Sequence, residues 1–422
     1  MSKPLPVLNA EQCVALDSMM EFLSGDDNFF LLSGYAGTGK TFSVQELIKR
    51  VRGRLVFTAP TNKATKVLRD TLTTDNYKPE CRTIYSLLGL RMEATGEVKA
   101  LVAPEDPLDL SQFVAIIVDE GSMINSNLFK YIKQTAKAFH VKFIFMGDAA
   151  QLPPVGEPRS PIWELPGGAK LEKVMRHDNQ ILELATRLRS VVDHPAPTVN
   201  LASNHAGGEG VWKLSAPAFL LRIRDAARQG RFSLANEAKA IAWRNVTVDS
   251  LNLIIRKEIF HDVSAFWLPT DRIILLEPAK DSSGESIGTT DDEGIVTDVK
   301  VAWHPTHGEI KCYRLCVTWD DNRTGILWTV HEDWRGAFNR ASEQLAAQAR
   351  ENKRYWPKFW AFKEAFHSVR HAYAITAHRA QGSTYTAAFV DYRDILLNRQ
   401  RSEAYRCLYV ACTRPKKELY LG

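Results

Sequence analysis

Short apolar runs alternate with helix-like segments along residues 1–180. Four of these runs end in glycine, proline, aspartate or glutamate, as buried strands of a parallel sheet often do: NFFLLSG (28–34), RLVFTAP (54–60), VAIIVDE (114–120) and KFIFMGD (142–148). Segments with helical spacing, such as 40–51 and 62–73, lie between them. The pattern predicts an open α/β sheet, whose ligand crevice lies beyond the carboxyl ends of its strands.

The alternation is interrupted at residues 90–107, LRMEATGEVKALVAPEDP. Two short arms flank the tripeptide ATG, in which Gly96 can take the positive φ that a tight turn needs. We therefore predict a β-hairpin that leaves the first sheet domain and returns to it. A hairpin that merely caps this domain is the alternative to one with a function of its own.

A second α/β pattern covers residues 238–260 and resumes at 372–422. Residues 267–366 between them contain runs that resemble antiparallel strands, followed by an amphipathic helix-like segment at 335–354. We interpret this stretch as a β-plus-helix insertion. The predicted organisation has four parts: a first sheet domain (1–89 plus 108–180), the hairpin (90–107), a second sheet domain (181–266 plus 367–422) and the insertion (267–366).

The composition is that of a folded globular protein, with 422 residues, 45% apolar and 24% charged. No apolar run is long enough to span a bilayer and the start lacks the apolar core of a signal peptide, so we expect a cytoplasmic protein. The six cysteines are scattered, which favours reduced thiols over a metal site. The net charge of +5, with a basic segment at 351–422, permits a polyanionic partner without demanding one.

The segment GYAGTGKT fits the pattern GxxxxGK[ST] between a predicted strand and a predicted helix. Glycines let backbone N–H groups turn towards phosphates, and the helix N-terminus adds partial positive charge. We expect Lys40 to reach the β- and γ-phosphates and Thr41 to ligate Mg²⁺. The predicted nucleotide-binding residues of this loop are Gly34, Tyr35, Ala36, Gly37, Thr38, Gly39, Lys40 and Thr41.

Two acidic residues follow the predicted strand IIV. We expect Asp119 to hold Mg²⁺ through its hydration shell and Glu120 to orient or deprotonate an attacking water. Alone, such a pair is equally typical of a solvated turn, but the phosphate loop upstream favours hydrolysis of ATP or a similar triphosphate. A switch GTPase is excluded because the chain has no base-reading N-K-x-D motif.

Gln12 precedes the phosphate loop. Its amide can pair with both the N6 donor and the N7 acceptor of adenine, which favours ATP. A solvated helix glutamine is the alternative.

The ordered set of motifs resembles superfamily 1B helicases of the RecD and Pif1 type. The segments that carry the resemblance are Gln12, GYAGTGKT (34–41), TAPTNKATKVL (58–68), TIYSLLG (83–89), VDEGSM (118–123), GDAAQLPPV (147–155), VMR (174–176), ITAHRAQGST (375–384) and YVACTRP (409–415). The resemblance implies two RecA-like parallel-sheet domains of the P-loop NTPase class, with the hairpin as a pin and residues 267–366 as an SH3-like insertion.

The same resemblance assigns further residues to the ATPase site. It implies that Gln151 senses the γ-phosphate and that Gly382 contacts the nucleotide. Arg176 and Arg414 become arginine fingers, since a permanent charge and a planar fork suit phosphate oxygens. A surface ion pair is the alternative for either arginine.

DNA contacts are implied at the strand ends of both sheet domains, where hydroxyls, amides and backbone N–H groups can bind phosphates. The residues are Thr58, Pro60, Thr61, Asn62, Lys63, Arg244, Asn245, Thr376, His378 and Ser383. His378 can equally be a structural histidine. Two departures from the family pattern stand out: Arg379 replaces a frequent lysine, and EGIVTDV (293–299) lacks the usual Asn-Gly.

These observations predict a monomeric, ATP- and Mg²⁺-dependent 5′-to-3′ DNA helicase that acts on single strands and forks in replication, recombination or repair. Candidate protein partners are single-strand-binding and replication proteins, in a bacterial or phage-infected host cytoplasm and away from membranes. Polarity comes from the resemblance alone. The rivals are a translocase that does not unwind, an RNA helicase, and a nucleotide-controlled binding module, which does not need Glu120 or the two arginines.

Overall fold

The computed structural model describes residues 8–173, 180–192 and 199–422. The described chain forms two compact units. The first unit lies within Met1–Leu90, Ala103–Leu214 and Ala380–Gly422, and the second comprises Arg91–Val102 and Ser215–Arg379. None of the helices in the described ranges is long and apolar enough to cross a membrane.

The α-helices, in chain order, are α1 (Ala10–Ser24), α2 (Lys40–Arg50), α3 (Asn62–Leu72), α4 (Ile84–Leu87), α5 (Ser126–Phe139), α6 (Gln180–Arg189), α7 (Ala216–Arg228), α8 (Asn245–Phe260), α9 (Arg335–Glu351), α10 (Trp356–Glu364), α11 (Ala377–Ala380), α12 (Tyr392–Ile395) and α13 (Arg401–Cys412). The strands are β1 (Phe29–Gly34), β2 (Arg54–Ala59), β3 (Glu80–Thr83), β4 (Arg91–Ala94), β5 (Lys99–Val102), β6 (Phe113–Val118), β7 (Lys142–Gly147), β8 (Gly168–Leu171), β9 (Asn204–Ala206), β10 (Glu209–Lys213), β11 (Ala238–Ala242), β12 (Arg272–Leu275), β13 (Ala279–Lys280), β14 (Ser286–Gly288), β15 (Glu293–Trp303), β16 (Lys311–Trp319), β17 (Thr324–Val330), β18 (Val369–His371), β19 (Ala374–Thr376), β20 (Tyr385–Val390) and β21 (Pro415–Leu421).

The first unit contains a parallel six-stranded sheet in the order β3-β2-β6-β7-β1-β8. Its four inner strands are the four apolar runs read from the sequence, so the predicted open α/β sheet is confirmed. The two edge strands were not predicted, because β3 (ECRT) and β8 (GAKL) are short and partly exposed and carry no continuous apolar run. The carboxyl ends of the strands meet at one edge, where the candidate site lies.

The same unit contains β20, β21 and β10 in parallel register, with β9 antiparallel to β10. Helix α13 packs beside β20 and against α6, and its residues from Ala404 to Cys412 are nearly all buried. A helix that is apolar on most of its faces belongs in a protein interior. Its burial fixes Tyr409 and the following Arg414 inside the unit.

In the second unit, β11 pairs in parallel with β19. A five-stranded antiparallel sheet follows in the order β17-β16-β15-β12-β18, around a core that includes Trp267, Leu315 and Trp319. The predicted β-plus-helix insertion is confirmed as to its element types, and the run EGIVTDVKVAW is strand β15. Its likeness to an SH3-like fold stays a prediction.

The predicted hairpin is confirmed, although its paired arms are shorter than residues 90–107. Strands β4 and β5 pair from Arg91↔Val102 to Ala94↔Lys99, and Gly96 takes a φ of 90° in the turn. The turn is anchored within the second unit, because Trp360 Nε1 on α10 donates to Gly96 O at 2.9 Å. The hairpin is therefore held against a helix at its tip.

The cysteines are free thiols. Burial raises the pKa of Cys312 and Cys407 to about 12. These side chains behave as small apolar groups rather than as nucleophiles.

Candidate active site

The phosphate loop joins β1 to α2 at the carboxyl edge of the first sheet. Gly37 and Gly39 have φ values of 80° and 86°, a region that L side chains rarely adopt. A Cβ on Gly39 would also lie 2.3 Å from Gln12 Nε2. Because Gly39 caps α2 without a side-chain hydrogen bond, the first N–H groups of the helix remain available to an anion.

Lys40 folds back over the loop. Its Nζ donates to Gly34 O at 2.6 Å and to Tyr35 O at 3.2 Å. These carbonyls hold the ammonium group beside the loop, where a β- or γ-phosphate can replace them as its partner. Lys40 thus lies at the start of α2 beside the glycine-rich loop, and its contact with the phosphates stays a prediction.

Gln12 is buried beneath the loop at 1% exposure. Its Oε1 accepts from Asn9 N at 3.0 Å in a capping box at the start of α1, and its Nε2 donates to Thr38 O at 3.0 Å. The solvated helix glutamine considered above is therefore excluded, since both ends of the amide support local structure. Contact with adenine stays a prediction.

Asp148 and Tyr409 form a buried pair that sequence reasoning missed. Tyr409 OH donates to Asp148 Oδ2 at 2.6 Å, and Ala36 N donates to the same carboxylate oxygen at 3.1 Å. Burial and the Asp148 charge raise the pKa of Tyr409, so its hydroxyl stays a neutral donor. The pair fixes the first half of the phosphate loop from below. The only signal in the sequence was an aspartate directly after a strand.

Asp119 and Glu120 follow β6. Asp119 N donates to Thr58 O at 2.8 Å, and Glu120 N donates to Asp119 Oδ1 at 2.8 Å. Glu120 has φ 51° and ψ 40°, a left-handed conformation that is uncommon for glutamate. Such backbone strain is typical of functional sites, where the surrounding structure enforces it.

The electrostatics of this pair suit proton transfer. Withdrawal from water and the negative charge of Asp119 raise the pKa of Glu120 to about 7, while Arg414 and Lys40 oppose the shift. Withdrawal from water also raises the pKa of Asp119. A general base works best with a pKa near the working pH, so Glu120 has the chemistry expected of one.

Thr41 and Asp119 fit a magnesium ion by the chemistry of their donors. A hydroxyl at the start of α2 and a half-buried carboxylate are hard oxygen ligands of the kind that Mg²⁺ prefers. A divalent cation would also favour the charged form of Asp119, whose pKa is otherwise raised. The two residues can therefore hold the ion that the phosphate loop requires.

Arg414 is buried, and each guanidinium nitrogen has a partner. Nε donates to Val410 O at 3.0 Å, Nη1 to Ser383 O at 3.2 Å and Nη2 to Thr413 Oγ1 at 3.0 Å. Its charge nevertheless lowers the pKa of Glu120. Arg176, the other predicted finger, lies outside the described residues.

The predicted DNA contacts of the first unit cluster at the end of β2 and the start of α3. Thr58 is buried and its hydroxyl donates to Ile117 O at 3.0 Å, so this side chain is used inside the sheet. Thr61 caps α3, and Lys63 Nζ donates to Tyr385 OH at 3.1 Å. Pro60 is partly exposed and Asn62 is exposed beside them.

Two residues after α11 lie close to these groups. Gly382 has a φ of 73°, and a Cβ there would lie 3.1 Å from Ala64 Cβ on α3. Ser383 is buried, and its Oγ has no hydrogen-bond partner in the described part of the chain. Its hydroxyl therefore does not face solvent in this conformation.

The second unit brings together its own predicted DNA contacts. Strands β11 and β19 pair with Ala242 opposite Thr376, so Arg244 and Asn245 follow one strand end where His378 follows the other. Arg244, Asn245 and His378 are exposed. Arg370 Nη1 donates to Asn245 Oδ1 at 2.6 Å. The arrangement is a polar strand edge suited to phosphates.

Two family models match the chain. One, described as an AAA domain, matches residues 7–205. The other, described as a UvrD-like helicase C-terminal domain, matches residues 371–421. The phosphate loop and the acidic pair fall in the first match, and Arg414 falls in the second.

Two curated relatives match over nearly their whole length. The ATP-dependent DNA helicase Dda of Enterobacteria phage T4 is 26% identical over 450 residues, covering 96% of this chain and 97% of that protein. An uncharacterized protein of Acanthamoeba polyphaga mimivirus is 23% identical over 501 residues, covering 98% and 99%.

The fold is similar to that of solved Pif1 helicases. A Pif1 structure concerned with unwinding at forked double-stranded DNA has a TM-score of 0.52 at 16% identity, covering 98% of this chain and 92% of that one. The Bacteroides Pif1 helicase in complex with ADP-AlF3 and single-stranded DNA has a TM-score of 0.50 at 15% identity, covering 99% and 92%. Together, the family models, the match to Dda and the fold confirm the resemblance drawn from the motifs: the chain is similar to superfamily 1B helicases of the Pif1 and Dda type.

Proposed function

We propose that the chain is an ATP- and Mg²⁺-dependent DNA helicase that moves 5′-to-3′ on single-stranded DNA and unwinds duplexes. The observation that carries the proposal is the position of Glu120, which follows β6 next to Asp119 in a left-handed conformation and is subject to the charges of both Lys40 and Arg414. A binding module does not need a base with a pKa near 7 at that place. The activity of Dda and the ligands of the Bacteroides Pif1 structure support the same assignment.

Each residue of the site has a definable task. Lys40 and the N–H groups at the start of α2 neutralise the phosphates, and Glu120 takes the proton of the attacking water. Arg414 adds positive charge where it develops on the transferring phosphoryl group. Thr41 and Asp119 would hold Mg²⁺, which would supply further positive charge to the phosphates. Asp148 and Tyr409 keep the loop in the shape that these contacts require.

DNA binding is proposed at the polar strand ends of the two units. Hydroxyls, amides and basic side chains there suit a phosphate backbone and read no sequence. Affinity should therefore fall steeply with salt and vary little between unrelated oligonucleotides.

The hairpin is the proposed strand separator. A base-pair step is worth roughly 1–2 kcal/mol of stacking, so an element that blocks re-annealing must be held firmly. Trp360 holds the turn at Gly96, Arg350 pairs with Glu97, and Lys99 Nζ pairs with Glu364 Oε1 at 2.5 Å. Met92 and Val98 on the hairpin are 59% and 65% exposed, as apolar groups of a wedge must be.

The finer assignments extend this proposal. The hairpin is the pin of the first RecA-like domain, and residues 267–366 are the SH3-like insertion of the second. The chain acts as a monomer in the cytoplasm, on single strands and forks, with single-strand-binding or replication proteins as partners. Size-exclusion chromatography with light scattering tests the monomer directly.

A strand-displacement assay on 5′-tailed and 3′-tailed duplexes tests the function. The wild-type protein with ATP and Mg²⁺ should displace the strand only from the 5′-tailed substrate, and Lys40→Ala, matched in folding by circular dichroism, should displace neither. Displacement from the 3′ tail would refute the polarity. DNA-stimulated ATP hydrolysis without displacement would indicate a translocase, and stronger stimulation by RNA would indicate an RNA helicase.

A further inference from the structure

Gln381 lies buried between segments that the proposed mechanism uses. Its Nε2 donates to Gln151 Oε1 at 3.1 Å and to Ser122 Oγ at 3.3 Å. All three residues are buried: Gln381 is 7% exposed, Gln151 8% and Ser122 2%. The contact joins the segment after α11 to the loop after β7 and the turn after β6.

The backbone of Gln151 is fixed, whereas packing leaves its side chain some freedom. Arg406 Nη1 on α13 donates to Gln151 O at 3.0 Å, and Gln151 N donates to Asp148 O at 3.1 Å. A cavity of about 200 Å³ adjoins the side chains of Gln151 and Ser122. The loop that carries Gln151 contacts the phosphate loop through Asp148, which accepts from Ala36 N, and shape alone does not decide which end of the Gln151 amide would meet a bound phosphate.

The direction of its hydrogen bonds can determine the orientation of the Gln151 amide. A glutamine amide has an acceptor end and a donor end, and a terminal phosphate offers only acceptors. When the donor Nε2 of Gln381 engages Gln151 Oε1, the Gln151 amino group points away from Gln381 and is left to bind a phosphate oxygen. The reversed amide would place an oxygen against the phosphate, which is repulsive.

We infer that Gln381 is a positioning residue for ATP hydrolysis: it holds the carbonyl end of the Gln151 amide and so presents the amino end to the terminal phosphate. The inference rests on the proposed function, because it needs a triphosphate at the loop.

The residues that follow Gln381 strengthen this role. Gly382 packs closely on Ala64 at the start of α3, and Ser383 O accepts from Arg414 Nη1 at 3.2 Å. One short segment thus holds both the Gln151 amide and the Arg414 guanidinium. A shift of this segment would move the Gln151 amide and the Arg414 guanidinium together.

The test is ATP turnover at saturating single-stranded DNA for Gln381→Met, which keeps the length of the side chain and removes the donor. We expect kcat to fall roughly 100-fold, the size of effect that misplacement of a catalytic group by about an ångström produces. KM for ATP should stay within a few-fold. Gln112→Met is the matched control and should leave turnover unchanged, since Gln112 is exposed and its side chain hydrogen-bonds to Arg54 and Asp109, away from the loop.

A double variant separates positioning from general structural support. If Gln381 acts through Gln151, then Gln381→Met in a Gln151→Ala background should cause no further loss, because the group it positions is gone. Should Gln381→Met lower the melting temperature, Gln381→Asn serves as the second variant, since its amide is too short to reach Gln151.

The outcomes are distinct. Wild-type turnover in Gln381→Met and Gln381→Asn, or losses that multiply in the double variant, would overturn the inference and leave the proposed function intact. A folded wild-type protein that hydrolyses no ATP with DNA would overturn the proposed function, and this inference with it.

Discussion

The two units of the described chain both contain buried charges, and they use them in different ways. In the first unit, Asp119 and Glu120 form no ion pair with any residue that the structure describes, and their pKa values are raised. In the second unit, Asp271 is fully buried against Arg256, whose Nε donates to Asp271 Oδ1 at 2.9 Å. Burial tends to raise the pKa of Asp271, but His371 and Arg256 outweigh it and hold that pKa below its usual range.

The difference distinguishes carboxylates that can take part in a reaction from carboxylates that stabilise the fold. A charge that is kept in a half-buried site without a protein counterion is costly, and it is maintained where a ligand supplies the counterion. A charge with good partners on every side gives up its reactivity and fixes the geometry around it. Lys239, Glu293 and Arg272 form a second cluster of this supporting kind, with Lys239 Nζ 2.7 Å from Glu293 Oε2.

The largest effect is expected from Glu120→Gln. It should lower kcat for ATP hydrolysis by roughly 10²–10⁴-fold, the usual contribution of a general base, while ATP still binds. The melting temperature should stay the same or rise, since repulsion with Asp119 is removed. Single-turnover hydrolysis, nucleotide binding and thermal unfolding check the three statements. Collapse of nucleotide affinity would instead make Glu120 a structural or metal residue.

Asp271→Asn should show the opposite pattern. Breaking a buried pair leaves Arg256 without its counterion, so the free energy of unfolding should fall by about 3 kcal/mol or more. Urea unfolding measures the change. The control is Asp225→Asn, which removes an exposed pair with Arg228 (3.5 Å) and should change stability by less than about 1 kcal/mol. Equal losses in both variants would contradict the distinction between the clusters.

The pH dependence of activity and of stability should also differ between the Asp119–Glu120 pair and the Asp271–Arg256 pair. Glu120 accepts a proton only when it is ionised, so kcat/KM should rise with pH up to about 7 and then level, and bound Mg²⁺ would shift the rise to lower pH. Because its folded pKa is raised, Glu120 contributes stability below its ordinary value of 4.5 that is lost as pH rises to about 7.

Asp271 should behave in the reverse sense. Its folded pKa is lowered, so its contribution to stability is present above the ordinary value of 3.8 and is lost as pH falls through the folded pKa. Comparison of wild type with Asp271→Asn by unfolding at several pH values tests this. A stability difference that persists unchanged at strongly acid pH would contradict it.

The smallest effect concerns a contact that positions an element without taking part in a reaction. Trp360→Phe removes the hydrogen bond to Gly96 O, worth roughly 1 kcal/mol, so duplex unwinding should slow a few-fold while ATP hydrolysis is unchanged. Trp303→Phe, at an exposed position on β15, is the control and should alter neither activity. A parallel fall in ATP hydrolysis would show that the hairpin contact supports the whole fold.

Prediction from the sequence succeeded wherever the residues of a short segment are sufficient to determine its conformation. The inner strands of the first sheet, the phosphate loop and the hairpin follow from continuous apolar runs, from glycines that need positive φ and from a turn between two short arms. The edge strands β3 and β8 were not predicted, because these short and partly exposed segments bury too little apolar surface to produce an apolar run in the sequence.

The differences from the family pattern at Arg379 and at residues 293–299 show what sequence analysis cannot detect. They looked like unrelated deviations from a family pattern, yet Arg379 pairs with Asp291, which precedes β15 and has a φ of 68°. The pairing is a contact between distant parts of the chain, and no local pattern records it.

The residues of the candidate nucleotide site also fall into two groups, those that local sequence indicated and those that tertiary contacts revealed. By itself, the sequence predicted the glycine-rich loop and assigned Lys40, Thr41, Asp119 and Glu120 to it, because backbone conformation and strand ends are local properties. Only the tertiary structure placed Tyr409 against Asp148 below the loop and brought Gln381 into hydrogen-bond contact with Gln151. Burial and hydrogen-bond direction arise only when segments far apart in the chain meet, and these two quantities turn an ordinary tyrosine or glutamine into part of a site.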